Sequence, residues 1–135
     1  MMRPLLTAAV ALLAMTGVGC AADVTKAPPG GNYKQVSTLV ALPDFLPGLG
    51  ALYVQPATLP AGPFLAYDRD GRLVSTIYMI PIEDIEAQKK FDDLAVGTDN
   101  VVDVDMYYNA GHPGVEEPHY HVVLWHVPES EAKLQ

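Results

Sequence analysis

A single cysteine, Cys20, is present among the 135 residues. No disulfide can close within the chain, so its fold rests on packing and hydrogen bonds alone. Basic side chains are scarce as well. The chain has 8 Lys and Arg against 16 Asp and Glu, for a formal net charge of −8. The basic residues are scattered, and no basic face can be assembled from them to neutralise phosphates, so nucleic acid is not an expected partner. The same charge balance argues against electrostatic attachment to anionic lipid. The serines Ser37, Ser75 and Ser130 stand in no nucleophile elbow. There is no phosphate-cradling glycine loop and no dinucleotide fingerprint.

What is present begins at the N-terminus. Arg3 precedes an apolar run, Leu5 to Met15 (LLTAAVALLAM), which as a helix would cover about half of a bilayer's hydrocarbon core. Its length and flanks are those of a signal-peptide core. The following MTGVGC brings small residues directly to Cys20. Residues 1–20 therefore read as a signal peptide with a lipobox-like end, although Gly17 stands where leucine is commoner. Cys20 is the expected lipidation site, and the alternative is ordinary cleavage near Ala22. Acyl chains on Cys20 would hold the protein at a membrane without a spanning helix. The expected location is the cell envelope, as a membrane-anchored lipoprotein, with a soluble periplasmic or secreted form as the alternative. Residues 21–34, rich in proline and glycine, read as a flexible tether.

Residues 35–128 read as one α+β domain with a small, largely antiparallel sheet and one main helix. Strands are expected over 36–42 and 51–54. A hairpin is expected with arms near 64–67 and 72–80, turning at Asp70-Gly71. Pro81 suits a first helical position, and Glu83, Asp84 and Glu86 favour the positive end of a helix dipole, so a helix is expected over 81–94. VVDVDMYY (101–108) alternates as a half-buried strand. Its Val102, Val104, Met106 and Tyr108 lie on one face, and Asp103, Asp105 and Tyr107 on the other. HYHVVLWHV (119–127) is apolar on both faces, as a central strand is. The polar residues 129–135 are expected to fray. A domain this small without disulfides would gain from homo-oligomerisation.

All four histidines fall within GHPGVEEPHYHVVLWHVP, residues 111–128. His119 and His121 are two apart on a strand, so they share a face with Cα atoms roughly 7 Å apart. Two imidazoles so placed can converge on one metal ion. A third ligand is open between His112, Glu116 and Glu117 in the preceding loop, and Asp103 and Asp105 become candidates if the last two strands pair with those faces aligned. Neutral imidazole with carboxylate suits a divalent transition metal such as zinc or copper, or Fe²⁺. His126 points to the opposite face. The structural alternative is that His112 ties down its Gly-His-Pro turn, His119 caps a strand, and Trp125 is core.

YMIPIEDI and VDVDMYYNAGHPGVEEPHYHVVLW together resemble a family of uncharacterised secreted bacterial proteins, a domain of unknown function. Its members carry an Asn…Gly-His-x-Pro loop and then a Pro-His-aromatic-Asp-x-His strand. Asn109, Gly111 and His112 match the loop, and Pro118, His119 and Tyr120 match the strand. His121 stands at the family's Asp and Val123 at its second His. The resemblance implies secretion and an α+β fold. The histidines themselves carry two functional expectations. One is an exported binding or structural domain holding a metal through its histidines. The other is a metal-dependent hydrolase or oxygenase in which Glu116 or Glu117 serves as general base. The second requires the histidines to line a concave pocket. A third class, a small-molecule carrier, requires an apolar cavity beneath the sheet.

Overall fold

The computed structural model describes residues 23–135. The signal-peptide and Cys20 expectations lie outside the described residues. Six strands form one sheet: β1 (Lys34–Gln35), β2 (Ala51–Val54), β3 (Phe64–Tyr67), β4 (Leu73–Pro81), β5 (Asp103–Asn109) and β6 (His119–Trp125). Their order is β1-β2-β3-β4-β6-β5, and every pair is antiparallel. This is the expected α+β class. The β3–β4 hairpin turns at Gly71, whose φ of 74° is the left-handed conformation a turn of this kind asks of glycine. β6 lies between β4 and β5, which explains an apolar sequence on both of its faces.

The main core lies on one face of the sheet. Val54, Phe64, Ile77, Met79, Val123 and Trp125 are buried there. They alternate with the residues of the opposite face because the side-chain period of a strand is two. The core is roofed by the segment between β1 and β2, from which Val40, Leu42, Phe45 and Leu49 pack against it. That segment was expected to be a strand over 36–42. Instead Val36–Thr38 is a 3-10 turn, and the N–H groups of Leu39 and Val40 both donate to the Val36 carbonyl. With its donors spent locally and Pro43 and Pro47 following, the segment leaves the sheet and covers it.

Three further expectations are corrected. The helix over 81–94 is one short helix, α1 (Ile82–Glu86), and the chain leaves it through Gln88 and Asp93, both at positive φ. Ile85 and Leu94, two apolar residues within the expected span, are 49% and 46% exposed. A short helix without a packed face has little to sustain it. β5 alternates as read, but its Val104, Met106 and Tyr108 face is exposed, since β5 is an edge strand. Finally, neither flanking segment hangs free. Ala27 N–H donates to the Gly71 carbonyl (2.8 Å) and Leu73 N–H to the Thr25 carbonyl (3.1 Å), while Val24 and Ala27 pack against the small core of Leu65, Tyr67 and Leu73. At the other end Leu134 is buried in the main core, and its carbonyl accepts from Gly48 N–H (2.7 Å). Leu134, together with Arg69 N–H donating to the Lys133 carbonyl (3.0 Å) and Arg72 to the Glu131 carbonyl (2.9 Å), fixes a tail whose composition is largely polar. Among the described residues no helix is long and apolar enough to cross a membrane.

Candidate metal centre

His119 and His121 open β6 on the core face. His119 is fully buried and His121 8% exposed. The register explains their neighbours: His121 sits opposite Met79 on β4 and Tyr107 on β5, and His119 opposite Pro81 and Asn109. The loop between β5 and β6 brings His112 to them. Gly111 N–H donates to Asn109 Oδ1 (2.9 Å). His112 and Val115 then exchange backbone hydrogen bonds of 2.9 and 3.0 Å, and Val115 is buried in the main core. The loop is thus pinned by one apolar side chain, with His112 turned inward.

The three Nε2 atoms form a compact triangle. Its sides are 2.9 Å (His119–His121), 3.2 Å (His112–His119) and 3.4 Å (His112–His121). A tetrahedral zinc ion bound at about 2.0–2.1 Å requires nitrogens about 3.3 Å apart, so the triangle has the size of one tetrahedral face. A square-planar copper(II) site would need a trans pair about 4 Å apart, longer than any side. The opposite ring nitrogens are fixed. His112 Nδ1 lies 3.0 Å from the Pro113 carbonyl and His119 Nδ1 2.7 Å from the Glu117 carbonyl. A carbonyl only accepts, so each Nδ1 carries the proton, and each neutral ring turns an Nε2 lone pair towards the common point. His121 Nδ1 meets the Tyr107 hydroxyl at 3.1 Å. That hydroxyl can donate or accept, so His121 alone is free to change tautomer.

Among the described residues, His112, His119 and His121 are the one group of three or more metal-ligating side chains brought together. Glu116 and Glu117 are exposed, and neither carboxylate belongs to the group. Glu117 contributes its backbone carbonyl instead. The β5–β6 faces do align, yet Asp105 Oδ2 accepts from Trp125 Nε1 (2.9 Å) and Asp103 Oδ1 from Val104 N–H (2.9 Å). Neither aspartate reaches the histidines. His126 lies on the other face, bonded to Thr76 Oγ1 (2.7 Å) and the Asn100 carbonyl (2.8 Å). Tyr107 is the site residue that sequence reasoning did not nominate. It shares a face with Asp105, and pairing of the two strands was the signal that could have found it.

The site is concave. His112 and His121 form part of the wall of a cavity of about 260 Å³, otherwise lined by apolar side chains such as Val40, Leu49, Leu52, Phe64 and Met79. Burial together with the neighbouring His119 and His112 lowers the His121 pKa from 6.5 to about 4. Burial also lowers that of His126, against the hydrogen bond to the Asn100 carbonyl, which favours the protonated ring. In the unfolded chain both rings take up a proton near pH 6.5, and the folded protein resists it. The contribution of His121 to stability is therefore complete above pH 6.5 and is lost as pH falls towards about 4, and that of His126 is lost in the same direction. For His121 the loss is on the order of 3 kcal/mol. Urea denaturation of chelator-treated protein across this window checks it, and a flat stability would contradict it.

A small antiparallel α+β protein with a largely buried histidine triad beside an apolar cavity is the class that fold and site define. No family model and no curated protein matches the chain. A solved structure, that of the hypothetical protein TTHB210 from Thermus thermophilus, is similar at 45% identity with a TM-score of 0.61. The match covers 69% of this chain and 92% of the Thermus protein. The chain belongs to the same family of small bacterial proteins as that one.

Proposed function

We propose that this protein is an exported metal-binding protein holding one zinc ion through Nε2 of His112, His119 and His121, with a fourth position left for a ligand from the cavity. The observation that carries this reading is the Nε2 triangle, with sides of 2.9–3.4 Å and two of its rings locked in the tautomer that metal binding needs. Isothermal titration of purified, untagged protein with Zn²⁺ and Cu²⁺ tests it. The expected result is one high-affinity Zn²⁺ per chain, absent from a His119→Ala/His121→Ala double variant. Equal, weak binding by both proteins would remove the reading.

The concave wall favours a second reading, a metal-dependent hydrolase or oxygenase at the same centre. A metal lowers the pKa of its bound water, and a carboxylate base beside that water would assist its attack. The exposure of Glu116 and Glu117 leaves that role without a carboxylate at the cluster, which is why binding is preferred over turnover. Attachment to a membrane through Cys20 completes the proposal, supported by the apolar run and the small residues that lead into the cysteine. A palmitate analogue fed to producing cells should label the protein, and Cys20→Ala should abolish the label. Labelling that survives the substitution would overturn the anchor.

A further inference from the structure

We propose that the centre and the cavity form one binding site, whose ligand is a small molecule with an apolar body and a single carboxylate head. The head occupies the metal's fourth position and the body fills the cavity. This inference rests on the metal-centre reading and names the ligand that the site would take.

Three observations converge on that chemistry. First, charge: a divalent ion held by three neutral imidazoles keeps both of its positive charges, because no carboxylate belongs to the cluster. At a centre where His119 and His121 are buried, such a charge favours an anionic partner. Second, the wall: no side chain lining the cavity is charged, and His112 and His121 are its polar members. Among the lining side chains, a ligand's polar group therefore finds partners only at the histidine end, and the rest of the wall favours an apolar body. Third, size: a cavity of about 150 Å³ accommodates benzene, and this one measures about 260 Å³. The body it takes is a medium-length alkyl chain or a one- to two-ring aromatic. The wall is also adaptable at one point, since Met79 lies opposite His121 in the β4–β6 ladder and methionine repacks readily around varied shapes.

The test uses the full-length protein and three defined probes, octanoate, octanol and acetate, titrated calorimetrically into zinc-loaded and chelator-treated samples. Octanoate is expected to bind the zinc-loaded protein at least ~10-fold more tightly than the zinc-free protein. Octanol lacks the anionic head and should bind both forms equally. Acetate lacks the body and should bind at least ~100-fold more weakly than octanoate. Leu39→Trp, a substitution on the partly exposed flank of the cavity, should weaken octanoate and leave zinc affinity unchanged. If zinc binds one per chain but octanoate shows no preference for the loaded form, the ligand inference is overturned and the metal centre stands. If zinc itself does not bind, both fall. If octanoate and acetate bind equally, the cavity is no part of the site and the inference is overturned.

Discussion

Replacing His119 with alanine is expected to lower zinc affinity by well over 100-fold. Substitutions of groups that merely support metal ligands cost about 10–100-fold, and loss of a ligand must exceed that. His119 is the vertex from which both shorter sides of the triangle run, at 2.9 and 3.2 Å. It is fully buried, and its Nδ1 is anchored on the Glu117 carbonyl. The other two imidazoles, 3.4 Å apart, would be left as a two-ligand site. Tyr107→Phe should have a smaller effect, within about 10–100-fold, because it removes only the hydroxyl against His121 Nδ1. Glu116→Gln and Glu117→Gln should have none, since both side chains are exposed. Competition with a zinc-binding dye gives the order. A ranking in which the glutamates matter more than Tyr107 would mean that the ligand set is different.

Parts of this site are legible in the sequence because they follow from a period of two. His119 and His121 must share a face on any strand, Trp125 must share it with them, and His126 must not. The α+β class follows in the same way, from alternation in β5, the apolar middle of β6 and the Asp70-Gly71 turn. The third member is a different matter: the sequence offers His112 beside Glu116, Glu117, Asp103 and Asp105 and does not decide among them. On resemblance to the His-x-Asp-x-His strand, Val123 looks like a lost metal ligand. In the structure Val123 is buried core, and the third imidazole comes from the loop, nine residues from His121. No periodicity governs where a loop delivers a side chain. The same limitation hid the roof over the core. Residues 36–42 have strand composition, but the local bonds to the Val36 carbonyl and the two prolines that follow take them out of the ladder. Without that roof there would be no cavity, so the feature that gives the centre room for a ligand was the part least visible to pattern reading. Leu134 is a third instance, for composition averages over a single anchoring residue.

Substituting Gly111 with alanine is expected to separate the loop's contribution from that of the strand pair. Gly111 has φ +130°, and a Cβ placed on it would lie 2.3 Å from the Glu116 carbonyl oxygen and 2.9 Å from its carbon. Both obstacles are backbone, so no side-chain rotation can relieve them, and the left-handed region itself costs on the order of 1–3 kcal/mol for a residue with a Cβ. The chain must open between 111 and 116. That opening strains the paired hydrogen bonds between His112 and Val115 and withdraws His112 from the triangle. His119 and His121 stay where the β4 and β5 ladders hold them. Zinc affinity should therefore fall by more than ~100-fold, close to that of His112→Ala, while thermal unfolding of the metal-free protein shifts by roughly 5–15 °C, the size of the backbone cost alone, because the sheet is untouched. Combining Gly111→Ala with His112→Ala should add little further loss of affinity, as expected when one substitution acts through the other. Fully additive losses would show that the loop contributes to the metal by some route other than His112, and the three-histidine assignment would then have to be redrawn around whatever group supplies it.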